Sequence, residues 1–167
     1  MSFASYFPGE AHRPGQNERP DENSPALLNL LEGQIKPVKS ENWQENKVYL
    51  TGWTLFDAQY YWEAHHLWEA VWLGTLEKNP EKYLMEGLIQ LTNTLLKIRL
   101  GRKKAALKLI SLSESKINEA FIGSSMELMG VEKNEVLEGL ACLKQEMVQN
   151  FDPKMNFSVP IKVKNAL

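Results

Sequence analysis

Apolar residues recur at three- and four-residue steps along most of the chain, the spacing of helices that bury one face. Ser24 and Pro25 supply a cap and a first-turn proline, and the helix they start runs to about Glu32, where Gly33 is placed to end it. Pro37 keeps the chain extended before a second helix that begins near residues 42 to 46 and carries Val48, Leu50, Trp53 and Phe56. Asp57, Ala58 and Gln59 read as a tight break, and a third helix follows at once over residues 60 to 72. Asn79 and Pro80 repeat the cap-and-proline start for a fourth helix, striped by Leu84, Leu88, Leu91, Leu95 and Ile98 and stopped by Gly101. A fifth helix from about Arg102 to Ala120 then folds back on the fourth as an antiparallel hairpin. Residues 121 to 133 mix glycine, serine and apolar residues and read as an irregular connection. Asn134 is the expected cap of a last helix, which reaches Asn150 and presents Val136, Leu137, Leu140, Leu143 and Met147.

The two ends lack this pattern. Pro8, Pro14 and Pro20 with Gly9 and Gly15 make residues 1–24 an extended arm, and Phe3, Tyr6 and Phe7 are the rings that could pin it. Beyond residue 150, Pro153 and Pro160 interrupt an alternation of Val159, Ile161 and Val163, which predicts an extended tail over 151–167 lying on the body. The expected architecture is all-α, a compact antiparallel helical bundle of about five to six helices. One domain, residues 25–150, is flanked by the two arms.

Composition sharpens this in three ways. Hydrophobic residues make up 43% of the 167, enough for an ordinary core and too many for a disordered chain. A net charge of -2 removes the positive field that draws proteins to nucleic acid, so nucleic acid is a disfavoured partner. Cys142 stands alone, which excludes an intrachain disulfide and a multi-thiolate zinc site, and its place on the last helix suggests a core thiol. Neither a signal-type leader nor an apolar run of membrane-spanning length is visible, so the expectation is a cytoplasmic protein with no membrane partner.

The candidate chemistry sits on the third helix. Tyr61, Trp62, His65, Trp68, Glu69 and Trp72 fall within an arc of about 120°, which embeds a histidine and a glutamate in an aromatic face. His65 and Glu69 stand four apart and can meet. Buried together they would form a structural pair; open to solvent, the carboxylate would orient the imidazole as a base or a metal ligand. Glu63 and His66, three apart, share another and more polar side. Their Glu-x-x-His spacing is one half of a carboxylate di-iron motif, and the other half is missing, because His12 is the only further histidine. A single divalent metal held by His65 or His66 with Glu63, Glu69 or Glu86 is the remaining cofactor reading, and no other cofactor is predicted. On the fourth helix Glu86 and Gln90 share a face that the hairpin could turn toward His65 and Glu69. Lys97, Arg99, Arg102, Lys103, Lys104 and Lys108 form a basic cluster without an acid among them. It is either a solvated tip that complements the dipole of the fourth helix or a site for a protein partner or an anionic ligand. Glycine-rich phosphate loops and Gly-x-Ser-x-Gly elbows are absent.

The run from Leu55 to Trp72, with its Glu-Ala-His core and downstream Glu69 and Trp72, and the Gly-Leu-Ile-Gln run ending at Gln90 resemble the family called domain of unknown function 309. The resemblance covers about residues 47–120 and implies a compact all-helical bundle with no agreed activity. By it, Glu63, His65, Glu69, Trp72 and Gln90 occupy motif positions. Two departures stand out: His66 where a glutamate is usual, and Gln59 where glycine is usual, which implies a less tight turn. Three functional readings follow. The leading one is a structural His/Glu network beside a small cleft, with no reaction assigned. The others are a metal-assisted or acid/base enzyme using His65 and Glu69, and an interaction adaptor using the helix hairpin and its basic tip.

Overall fold

Each predicted apolar stripe becomes a helix: α1 (Pro25–Glu32), α2 (Lys47–Asp57), α3 (Tyr61–Gly74), α4 (Pro80–Arg99), α5 (Lys103–Ala120) and α6 (Lys133–Asn150). The structure is a computed structural model that describes residues 3–32, 37–123 and 126–163, so the expected stop at Gly33 lies outside the described residues. Local signals fix most of the starts. Ser24 Oγ accepts the Leu27 N–H at 3.4 Å, and the Asn46 side chain accepts the Tyr49 N–H at 2.8 Å. Pro80 opens α4, although Asn79 makes no side-chain cap. Gly101, at φ +71°, closes α4 with the Arg102 N–H reaching the Lys97 carbonyl at 2.8 Å, the bond of a left-handed helix stop.

The long helix α4 is the spine. It packs against α3 on one side and α5 on the other, while α2 covers α3 and α6 covers α5. Gly87 allows α5 to come close, and the Ser113 hydroxyl donates to the Gly87 carbonyl at 2.8 Å across that contact. Trp68 is the fully buried centre of the α2–α3 layer, edge-on to Trp53 at 4.8 Å and stacked on Phe56 at 5.7 Å. Among the described residues no helix is long and apolar enough to cross a membrane.

Three expectations change. The connection before α6 contains a two-residue antiparallel hairpin, β1 (Glu127–Leu128) and β2 (Val131–Glu132). Met129 and Gly130 both take positive φ at its turn, as a two-residue hairpin turn of the primed type requires. The Tyr49 hydroxyl donates to the Met129 carbonyl at 2.9 Å and ties this hairpin to α2; burial pushes that hydroxyl's pKa up. Because β2 leads straight into α6, the cap position is Glu132 and Asn134 lies inside the first turn. Cys142 is exposed rather than core, since its helical phase falls outside the buried Leu140–Leu143 stripe. The described parts of the arm and the tail lie on the helices: Phe7 from the arm and Phe157, Val159 and Ile161 from the tail are buried.

Candidate functional site

His65 is half-buried on α3, and its Nε2 lies 3.8 Å from Glu69 Oε2 on an exposed side chain. That separation is beyond a hydrogen bond. Such a contact contributes at most about 1 kcal/mol, so the pair is neither buried nor a firm orienting bond. Nδ1 of His65 is buried and has no hydrogen-bond partner among the described residues. Burial lowers the His65 pKa against the pull of Glu69, which keeps the imidazole neutral at physiological pH.

The buried histidine–glutamate contact in this chain is a different one. Glu63, expected on a polar face, is fully buried, and its Oε1 accepts the backbone N–H of His12 at 2.7 Å. The helical phase of Glu63 is as predicted; the N-terminal arm crosses that face and covers it. His12 Nδ1 lies 3.0 Å from the Glu18 carbonyl and 3.1 Å from Asn17 Oδ1, both acceptors, so Nδ1 carries the proton. Trp62 is the floor on which the arm rests, with the His12 ring edge-on at 4.8 Å, the Arg19 guanidinium at 5.4 Å and His66 stacked at 5.6 Å. The Tyr60 hydroxyl adds a bond to the Gly9 carbonyl at 2.8 Å. No sequence signal links His12 to Glu63, which stand 51 residues apart.

Burial raises the Glu63 pKa, and the His12 amide, followed by the charges of His12 and Arg99, opposes it. A carboxyl whose folded pKa lies above its unfolded value destabilises the fold once it ionises; the penalty is absent in acid and grows as pH rises through the folded pKa. Glu63→Gln is therefore expected to match the parent near pH 4 and to exceed it by about 1 kcal/mol at neutral pH. Urea unfolding at the two pH values checks this, and equal midpoints at neutral pH would contradict it.

Elsewhere on the α3–α4 face, Trp72 Nε1 donates to Glu86 Oε1 at 3.1 Å, and Lys116 from α5 pairs with Glu86 Oε2 at 3.0 Å. The bond to Glu86 is the main reason the Lys116 pKa is raised. Glu86 is thus engaged in a clamp across three helices and is not turned toward Glu69. Gln90 is half-buried one turn further along α4, and its side chain has no hydrogen-bond partner among the described residues. His65 and Glu69 stand 3.8 Å apart on α3, and Trp72 is engaged with Glu86. Among the described residues no three His, Cys, Asp or Glu side chains gather as a metal-binding set. Glu63 faces the arm and His66 stacks on Trp62, away from His65.

The basic cluster divides in two. Arg99 turns back onto the α2–α3 break, where Nη1 donates to the Gln59 carbonyl at 2.7 Å and Nη2 donates to Gln59 Oε1. Gln59 holds φ +65°, with the Tyr60 N–H on the Leu55 carbonyl at 2.8 Å. The turn is therefore as tight as a glycine would make it, and Arg99 secures it. Arg102, Lys103, Lys104 and Lys108 instead border an open 600 Å³ hollow at the hairpin tip, with Lys103 5.5 Å over the Phe151 ring. Among the described residues, none of the six cations has a carboxylate within 4 Å.

No curated protein and no solved structure matches the chain. Residues 49–109, from α2 into the first half of α5, match the family model described as domain of unknown function (DUF309), and they hold every motif position from Glu63 to Gln90.

Proposed function

We propose that the protein is a non-catalytic binding module whose α4–α5 hairpin tip docks an acidic surface on another protein. One observation carries this reading: the four cations at the hairpin tip, Arg102, Lys103, Lys104 and Lys108, lack any carboxylate within 4 Å among the described residues, in a chain whose net charge is -2. Lys97 and Arg99 suit the C-terminal end of α4. Lys103 and Lys104 do not suit their own helix, because they occupy the first turn of α5, where no acid accompanies them and the dipole disfavours cations. Charge that works against its own helix is accounted for by a partner, and an acidic group there would meet both the lysines and the free N–H groups of the first turn. Catalysis through His65 is less well supported, since neither ring nitrogen lies within hydrogen-bonding reach of Glu69. The reading places the protein in the cytoplasm, where an exposed Cys142 stays a thiol.

The test is the double charge reversal Lys103→Glu with Lys104→Glu, assayed on immobilised polyglutamate at low salt. Binding is expected to weaken at least about tenfold. The melting temperature is expected to hold or rise, because glutamates favour a helix N-terminus. Unchanged retention on polyglutamate would remove the reading.

A further inference from the structure

A second basic site adjoins the hairpin tip where Gly101 approaches Pro153, has its own lining and does not depend on the reading above. Four segments distant in sequence meet there: Arg13 from the arm, Gln59 from the α2–α3 turn, Arg99 at the end of α4, and the tail stretch Pro153 to Asn156. They enclose a cleft of about 610 Å³ with Arg13, Arg99 and Lys154 on its walls and no acidic residue in its lining. We propose that this cleft binds a small molecule through an oxyanion, a phosphate or a carboxylate.

The geometry of Arg99 is the main support. Its guanidinium is already fixed, with one donor on the Gln59 carbonyl, one on Gln59 Oε1, and the Tyr61 ring 4.5 Å below. An arginine carries five N–H donors, so three stay without a protein partner. A guanidinium held in this way loses little freedom when it grips an oxyanion with two parallel bonds. Arg13 brings a second guanidinium near enough to disfavour the charge on Arg99, to which burial contributes more, while Tyr61 and Glu63 oppose both. Two like charges, neither with a carboxylate within 4 Å among the described residues, gain together from one anion between them.

Two further features agree. Gln59 is a non-glycine residue at positive φ, a conformation that persists only where surroundings hold it and that gathers at binding sites. The cleft volume falls in the range of small-molecule sites, roughly 300–1,000 Å³, and is too large for a bare phosphate. The amides of Asn156 and Gln59 are placed on its walls for the polar remainder of such a ligand.

Calorimetric titration of the full chain with inorganic phosphate, pyrophosphate and citrate tests the proposal and separates phosphate from carboxylate recognition. Saturable binding of at least one probe is expected below about 10 mM. Arg13→Gln, at an exposed position whose side chain holds no structural bond, should weaken it about tenfold at unchanged melting temperature. Arg99→Gln should abolish it, and because that variant also loosens the Gln59 turn, Arg13→Gln is the deciding one. The hairpin double variant Lys103→Glu with Lys104→Glu should bind the probes as the parent does. Absence of binding to all three probes, equal affinity in Arg13→Gln, or loss confined to the hairpin variant would each overturn the assignment.

Discussion

Replacing Gly52 by alanine is expected to lower the unfolding free energy by about 3 kcal/mol or more. Gly52 sits on α2 where α3 crosses it, and a Cβ there would lie 2.2 Å from Trp68 Nε1 and 2.5 Å from its Cδ1. The indole cannot step aside, because Phe56 stacks on it, Trp53 packs against it in an edge-on contact and the ring is fully buried. Its Nε1 also donates to the Tyr49 carbonyl at 3.2 Å. An added methyl therefore forces overpacking, at about 1–3 kcal/mol, and displaces a buried hydrogen bond whose unmet groups cost about 1–3 kcal/mol more. Urea unfolding followed by tryptophan fluorescence reads the loss, and an unchanged midpoint would mean that the two helices are not in close contact. The consequence reaches the candidate site, since α3 carries Glu63, His65, Glu69 and Trp72 on the same rigid element.

The helices themselves were legible because their information is local. Pro25, Pro80 and Gly101 mark ends through backbone chemistry, and the leucine stripe of α4 declares its buried sides. Met129 and Gly130 escaped because a primed turn is usually announced by Asn-Gly or Asp-Gly, and methionine in its first position carries no such signal. Cys142 shows the limit of placing a residue by its type, since phase alone puts it outside. At the candidate site the difficulty is longer in range. Helical spacing separated His65 and Glu69 from Glu63 and His66 but could not say which was covered: Glu63, expected on the polar side, is fully buried while Glu69 is exposed, because the covering segment lies 51 residues away. Gln59 and Arg99, 40 residues apart, compensate each other in the same non-local way.

Deleting residues 1–20 is expected to cost about 3 kcal/mol, although an arm of this composition would ordinarily be dispensable. Phe7, buried to 2% exposure, contributes roughly 2 kcal/mol. The His12 N–H bond to the Glu63 carboxylate contributes about 1.5–3 kcal/mol, and the contacts of His12 and Arg19 with Trp62 add to it. Against these stand the ordering entropy of the arm and the relief of Glu63, which the deletion returns to water. That relief makes the prediction specific. In the truncated protein Glu63→Gln should no longer stabilise at neutral pH, so the two changes are non-additive by about the 1 kcal/mol that Glu63→Gln yields in the full chain. Helical circular dichroism should persist, the urea midpoint should fall, and Trp62 emission should shift to the red as its floor is uncovered. A truncated chain with the parent's midpoint, or one in which Glu63→Gln still stabilises to the full extent, would show that the arm does not seal Glu63 in solution.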